Sequence, residues 1–160
     1  MATFTATKTS EATVAYPRDL VWDVLTDPTT VAKLTPLVRS ITANGDLWKW
    51  QLAKIPVLGQ SFELGFTEAM TYDPKSRITF AHTPEGDERA GTDGRYDLSD
   101  ADGKKSTRLQ IKLKVTVDLP FPGLLKPAIQ TTMQGVIAAM GSGFARAIEK
   151  ELRTRAAKRR

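Results

Sequence analysis

Residues 61–72 contain the first candidate for acid–base chemistry, because a carboxyl group there shares a face with large apolar side chains. The apolar residues at positions 62, 64 and 66 alternate with more polar neighbours, and the same two-residue step reaches Glu68. Burying an unpaired charge is costly, so Glu68 must be paired, protonated or exposed to a wet cavity. In a cavity, a raised pKa would suit Glu68 to act as a general acid or base near neutral pH. The alternative is a twist or bulge that turns Glu68 to solvent or to an arginine, Arg77 or Arg95.

Two further side chains are candidates for proton transfer. His82, the single histidine, follows Ile78 and Phe80 at two-residue steps and is expected on their face. A neutral imidazole there could orient a ligand hydroxyl or move a proton, whereas the alternative is a tolerated residue at a strand end. Glu68 with His82 or Tyr96 would supply the proton-transfer groups of an enzyme. A serine triad is not supported, because no serine lies in a Gly-x-Ser-x-Gly setting.

The composition excludes several kinds of chemistry. The chain has no cysteine and one histidine, which rules out disulfides, thiolate nucleophiles, iron–sulfur clusters and sites built from several histidines. The glycines at 86, 91 and 94 match no phosphate-binding loop, and the aspartates at 93, 97, 100 and 102 lack calcium-loop spacing. We therefore predict neither a metal nor a cofactor.

Length and charge distribution point to one domain with a basic tail. The chain has 160 residues, 41% apolar and 26% charged, which is typical of a single globular domain over 1–160. Its formal charge of +5 resides in segment 146–160, which carries seven basic and two acidic residues, so the rest is neutral. Specific nucleic-acid binding is therefore not predicted. The basic tail has two explanations. The helix dipole favours basic residues in the final turn, or the tail makes weak contact with an anionic membrane. That contact would use Arg153, Arg155, Lys158, Arg159 and Arg160.

The sequence also bears on the compartment. The first residues have neither the basic nor the apolar segment of a secretion signal. No stretch approaches the roughly 18 consecutive apolar residues that a membrane span needs. We therefore expect a cytoplasmic protein.

Periodicity predicts an α+β domain. Alternation and turn residues predict about seven strands, at roughly 3–14, 38–44, 47–54, 61–72, 77–83, 90–99 and 107–118. Two short helices are expected after the first strand, the first beginning at Pro17 and the second covering about 29–34. Apolar residues from Ile129 to Leu152 recur at three- and four-residue steps, which predicts a long C-terminal helix of about 26 residues. A curved antiparallel sheet wrapped around this helix buries both apolar surfaces.

Small residues interrupt the long helix. Three glycines inside it, Gly135, Gly141 and Gly143, together cost something like 2–3 kcal/mol of helix propensity. Close packing against the sheet, room for a ligand, or a kink at 141–143 would each offset that cost.

The order of these elements resembles the SRPBCC superfamily over about residues 3–155. The resemblance rests on segment 15–28, with Val-Trp, Leu and Asp-Pro at helical spacing after a proline, on the Tyr72-Asp73-Pro74 turn followed by Arg77-Ile78, and on the closing helix. It implies the helix-grip fold of START lipid-transfer domains, birch-pollen-allergen-like proteins and polyketide cyclase/dehydrase proteins. It also implies a cavity between sheet and helix for a small hydrophobic molecule.

The hypothesis that follows is binding or transport of a lipid, polyketide or aromatic compound in that cavity. Aromatic and methionine side chains would form its walls, although the same residues also fill ordinary cores. The candidate ligand-binding residues are Trp48, Trp50, Phe66, Glu68, Met70, Phe80, His82, Tyr96, Met133, Ile137, Met140 and Phe144. The alternatives are a cyclase or dehydratase that uses cavity acid–base residues, and a peripheral module that docks on membranes through the basic tail.

Overall fold

A computed structural model describes residues 2–159. The strands are β1 (Ala2–Val14), β2 (Val38–Asn44), β3 (Leu47–Leu52), β4 (Ile55–Val57), β5 (Gln60–Phe62), β6 (Gly65–Asp73), β7 (Arg77–His82), β8 (Ala90–Ala101) and β9 (Ser106–Leu119). Seven of them form an antiparallel sheet in the order β1-β9-β8-β7-β6-β3-β2, and β4 pairs with β5 in a small separate hairpin. The seven-stranded antiparallel sheet is confirmed.

Two short helices follow β1, and one long helix closes the chain. They are α1 (Arg18–Leu25), α2 (Pro28–Leu34) and α3 (Lys126–Lys158). Pro28 opens α2, where its missing N–H is not needed, and it also keeps α1 from continuing. The 33 residues of α3 correspond to about 50 Å, which exceeds the predicted length. Within residues 2–159, no helix combines the length and apolarity required of a membrane span.

The long helix is anchored near its two ends rather than along its whole length. Ile129 and Met133 are buried in one apolar cluster, with Phe4, Leu119 and other sheet residues. Ile148 and Leu152 are buried in a second cluster, which also contains the apolar faces of α1 and α2. Between these anchors, the side chains of 134–147 are only half-buried or exposed. The middle of α3 therefore spans a space that its own side chains do not fill.

The predicted strand over 61–72 is wrong in one respect, because the chain forms two strands there. Leu58 and Gly59 both have positive φ, 49° and 82°, and form the turn that joins β4 to β5. The backbone then leaves that hairpin, and β6 begins at Gly65 beside β3. Leu64 and Phe66 nevertheless border the same interior space. Both residues therefore lie on the side that the alternation predicts, although the strand is interrupted.

Candidate functional site

A cavity of about 230 Å³ lies between the concave face of the sheet and the middle of α3. Its walls are apolar side chains of the sheet, α2 and α3 and of the β4–β5 hairpin. Lys8 and Gly141 border the cavity and are also exposed, so the space opens to solvent between β1 and α3. An apolar space that reaches the surface in this way is the usual form of a small-molecule site.

The helix glycines play different roles at this opening. A methyl group added at Gly143 would lie 2.3 Å from Cγ of Pro36, so Gly143 permits close contact between α3 and the segment before β2. A methyl group added at Gly141 or Gly135 would meet no atom within 4 Å. Of these two, Gly141 borders the cavity, where the absence of a side chain keeps the opening wide. Close packing and open space therefore both occur along the glycine-containing stretch of α3.

Glu68 lies at the inner end of the cavity and is 4% exposed. Its carboxylate accepts a hydrogen bond from the hydroxyl of Thr92, and Nε1 of Trp50 donates another at 3.1 Å. Burial raises the pKa of Glu68 to about 7, although the two hydrogen bonds favour the charged form. Asp93, a further negative charge, adds to the increase.

Glu68 is not neutralised by an arginine. Arg77 and Arg95, the two arginines considered from the sequence, both pair with Asp97 instead. Neutral donors therefore hold the Glu68 carboxyl group, and a change in its proton occupancy is possible near neutral pH.

Aromatic rings fix the surroundings of this carboxyl group. Trp50 and Phe66 face each other across β3 and β6 and stack with ring centroids 5.5 Å apart. The rings of Phe80 and Tyr96 lie 5.4 Å apart across β7 and β8. Burial raises the pKa of Tyr96 well above its ordinary value, so its hydroxyl keeps its proton at any physiological pH. These rings form flat walls around the Glu68 carboxyl group.

His82 does not line the cavity, in contrast to the sequence-based expectation. The pairing of β7 with β8 ends at Phe80, beyond which the backbone N–H of His82 donates to the Asp93 side chain. The imidazole packs on the surface of Gly91, where an added methyl group would lie 2.2 Å from Nδ1, and its Nε2 lies 3.0 Å from Oε1 of Glu88. His82 still pairs with Glu68 on β6, but its neighbour on β8 is lost after Phe80, and the contacts with Gly91 and Glu88 set the position of the imidazole.

Glu88 ties the loop after β7 to β6. It accepts hydrogen bonds from the backbone N–H and the hydroxyl of Thr67, at 2.9 and 2.6 Å. Burial opposes its charge, but the hydrogen bonds from Thr67 and His82 outweigh this effect and lower the pKa of Glu88. His82 therefore belongs to a loop anchor outside the cavity.

Most of the other predicted residues do border the cavity. Those that do are Trp50, Phe66, Glu68, Phe80, Tyr96, Met133, Ile137, Met140 and Phe144. Trp48 and Met70 instead fill the core beside it. The sequence analysis did not find Lys8 or Thr92. The two-residue step from Tyr96 back to Thr92, and from Phe4 and Ala6 to Lys8, is the signal that would have identified both.

Part of the basic tail is held by the protein itself. Arg155 contacts Glu151 at 3.1 Å and Asp27 at 3.7 Å. Arg159 contacts Asp19 at 3.2 Å and Asp23 at 3.5 Å. These ion pairs join the end of α3 to the two short helices. Arg153 and Lys158 are exposed, and Arg160 lies outside the described residues.

No metal site accompanies the cavity within residues 2–159. Over this range, no group of three or more histidine, aspartate or glutamate side chains is arranged to hold a metal ion. The ionisable side chains that border the cavity are Glu68, Tyr96 and Lys8.

Comparison with solved structures places this arrangement in a known architecture. A conserved protein from Geobacillus kaustophilus is 21% identical, with a TM-score of 0.75 over 93% of this chain and 96% of that one. The Zhui aromatase/cyclase from Streptomyces sp. R1128 is 18% identical, with a TM-score of 0.70 over 95% and 96% of the two chains. The chain thus shares the fold of these proteins, the helix-grip arrangement of a curved antiparallel sheet around a long C-terminal helix.

A START superfamily protein from Mycobacterium smegmatis shares this fold at 22% identity, with a TM-score of 0.64 over 94% of this chain and 97% of that one. No family model and no curated protein matches the sequence. The similarity at these identities concerns the fold, so function has to be argued from the cavity itself.

Proposed function

We propose that the protein binds and carries a small hydrophobic molecule, a lipid, polyketide or aromatic compound, in the cavity between the sheet and α3. The observation that carries the proposal is an apolar space of about 230 Å³ that opens to solvent. An empty apolar space lowers stability, because each missing contact costs dispersion energy. A protein that bound no ligand would be more stable if its own side chains filled the space. The unsupported middle of α3 is accounted for if a guest molecule completes the core.

The cavity volume sets the size of the guest. A cavity of roughly 150 Å³ lined by aliphatic and aromatic side chains holds benzene, so about 230 Å³ accommodates at least about nine carbons. Burying nine methylene-sized groups at about 0.8 kcal/mol each contributes roughly 7 kcal/mol. This burial term alone would give a dissociation constant on the order of 10 µM, and the loss of the guest's freedom of motion on binding makes the actual affinity weaker.

Isothermal titration calorimetry with decan-1-ol tests this proposal, with two variants of neighbouring residues on β9. Val115 borders the cavity, whereas Lys114 is exposed and does not border it. We expect Val115→Trp to weaken binding at least tenfold, because the indole occupies the space of the guest. Lys114→Trp should change affinity less than twofold. Equal affinities for both variants, or no binding by the unmodified protein, would refute the proposal.

A second candidate function is proton-transfer catalysis in a cyclisation with loss of water. It is favoured by the pKa of about 7 that burial gives Glu68 inside the cavity. The aromatase/cyclase from Streptomyces sp. R1128 has the same fold. In this function Glu68 exchanges a proton with the bound substrate and Tyr96 donates a hydrogen bond, while His82 takes no part. Glu68→Gln would abolish turnover of a poly-β-keto substrate and leave its binding within about twofold. Unchanged turnover would exclude Glu68 as the proton-transfer group.

Membrane contact by the basic tail stays a prediction. Arg155 and Arg159 are already held by ion pairs, whereas Arg153 and Lys158 are exposed and form no ion pair with any described residue. Co-sedimentation with phosphatidylserine vesicles measures the contact. If the tail docks, Arg153→Ala together with Lys158→Ala lowers the bound fraction, and an unchanged fraction would limit the tail to its structural role.

A further inference from the structure

Lys8 places a positive charge at the opening of the largely apolar cavity. Phe4 and Ala6 point from β1 into the core, and the same two-residue step places Lys8 and Ser10 on the concave face, where both border the cavity. Among the described residues, Lys8 forms no ion pair within 4 Å. An inward-facing position on an edge strand that carries a lysine marks the place where the interior meets water.

Lys8 and Glu68 are the charged groups of the lining, and they lie at different ends of it. Ala6 lies opposite Val115 on β9, which in turn lies opposite Thr92 on β8. Two strand spacings of about 4.8 Å and a two-residue step of about 7 Å separate Lys8 from Thr92, so their Cα atoms are roughly 12 Å apart. Thr92 donates its hydroxyl hydrogen to Glu68. The cavity therefore has a cationic outer end and an acidic, hydrogen-bonding inner end.

We propose that Lys8 makes the cavity selective for organic acids, whose carboxylate pairs with the Lys8 ammonium at the opening while the apolar body occupies the interior. This inference rests on the proposed ligand-binding function and specifies its substrate class. An anionic group cannot lie equally well at the inner end, because it would face the carboxylate of Glu68 and the negative charge of Asp93 behind it. The charges thus fix the direction in which the ligand enters.

Calorimetric titration with decanoate and with decan-1-ol, in buffer of low ionic strength at pH 8, tests the selectivity. The two probes share a ten-carbon chain and differ in the charge of one end. We expect the unmodified protein to bind decanoate about fivefold more tightly than decan-1-ol, because an ion pair at an exposed site contributes up to about 1 kcal/mol. Lys8→Met, which removes the charge and keeps an unbranched side chain, should abolish this preference. Lys8→Arg, which keeps the charge, should retain the preference.

Lys114→Met is the matched control, since it removes the same charge from the neighbouring strand at an exposed position that does not border the cavity. Its decanoate preference should equal that of the unmodified protein, and 0.5 M NaCl should reduce the preference by screening. Equal binding of both probes by the unmodified protein, or an equal loss in Lys8→Met and Lys114→Met, would overturn the role of Lys8 alone. If neither probe binds, the proposed cavity function is overturned, and the inference about Lys8 with it.

Discussion

Replacing Glu68 with glutamine should change how the stability of the protein depends on pH. Burial raises the pKa of Glu68 from its ordinary value of 4.5 to about 7 in the folded protein. The unfolded chain has the ordinary value, so between these two pH values the folded protein binds more protons than the unfolded chain. The free energy of unfolding therefore falls as pH increases through that window. Above this pH window, Glu68 is charged in both the folded and the unfolded protein, and its effect on the free energy of unfolding no longer changes with pH.

The size of the effect follows from the two pKa values. Each tenfold change in an acidity constant is worth about 1.4 kcal/mol, so the difference between 4.5 and about 7 corresponds to roughly 3 kcal/mol. Glutamine has a similar shape and can still accept a hydrogen bond from Thr92 or Trp50, but it carries no charge. We therefore expect Glu68→Gln to be nearly neutral for stability at pH 5 and to stabilise the protein by about 3 kcal/mol at pH 8.

Urea unfolding of both proteins at half-unit intervals from pH 4 to pH 9 measures this difference. Contributions from groups that both proteins share cancel in the comparison. The predicted curve of the difference rises between pH 4.5 and pH 7 and is flat on either side. A difference that does not vary with pH would refute the conclusion that Glu68 is buried without a cationic partner.

The helix provides three further predictions, each measured by chemical or thermal unfolding. Gly135→Ala should stabilise the protein by up to about 1 kcal/mol, because the added methyl group meets no atom within 4 Å and alanine favours the helix. Gly143→Ala should destabilise it by about 1 kcal/mol or more, because the methyl group would overlap the rigid ring of Pro36; a gain in stability would contradict this close contact. Leu152→Ala should cost about 2–5 kcal/mol, as Leu152 is fully buried between α3 and the short helices, and a loss below 1 kcal/mol would contradict that anchor.

The fold could be predicted from sequence because local patterns and overall architecture agree in this chain. The alternation within β9 and the three- and four-residue steps of α3 each indicate one apolar face, and a sheet that covers a long helix satisfies both. The β4–β5 hairpin was missed because its strands are three residues each, too short for a two-residue period to show. Its turn also depends on Leu58 in a left-handed conformation, which leucine rarely adopts.

The site was predictable where a strand is paired on both sides, and not where the pairing on one side ends. Glu68 and Tyr96 lie on regular strands, so alternation placed both at the cavity. His82 lies two residues beyond the last pairing of β7 with β8. The position of its imidazole is set by Glu88 and Gly91, which are close in space but are not part of the local alternation. Lys8 went unrecognised because a lysine on a strand is normally read as an outward-facing residue.

Xenon binding in a crystal tests most directly whether the interior is open and apolar. Xenon occupies dry apolar cavities without needing a specific hydrogen bond. Diffraction from a crystal held under xenon pressure should reveal xenon between β9 and the middle of α3, in contact with Leu113, Ile137 or Phe144. A structure in which side chains occupy this space and no xenon lies between the sheet and α3 would contradict the proposed function.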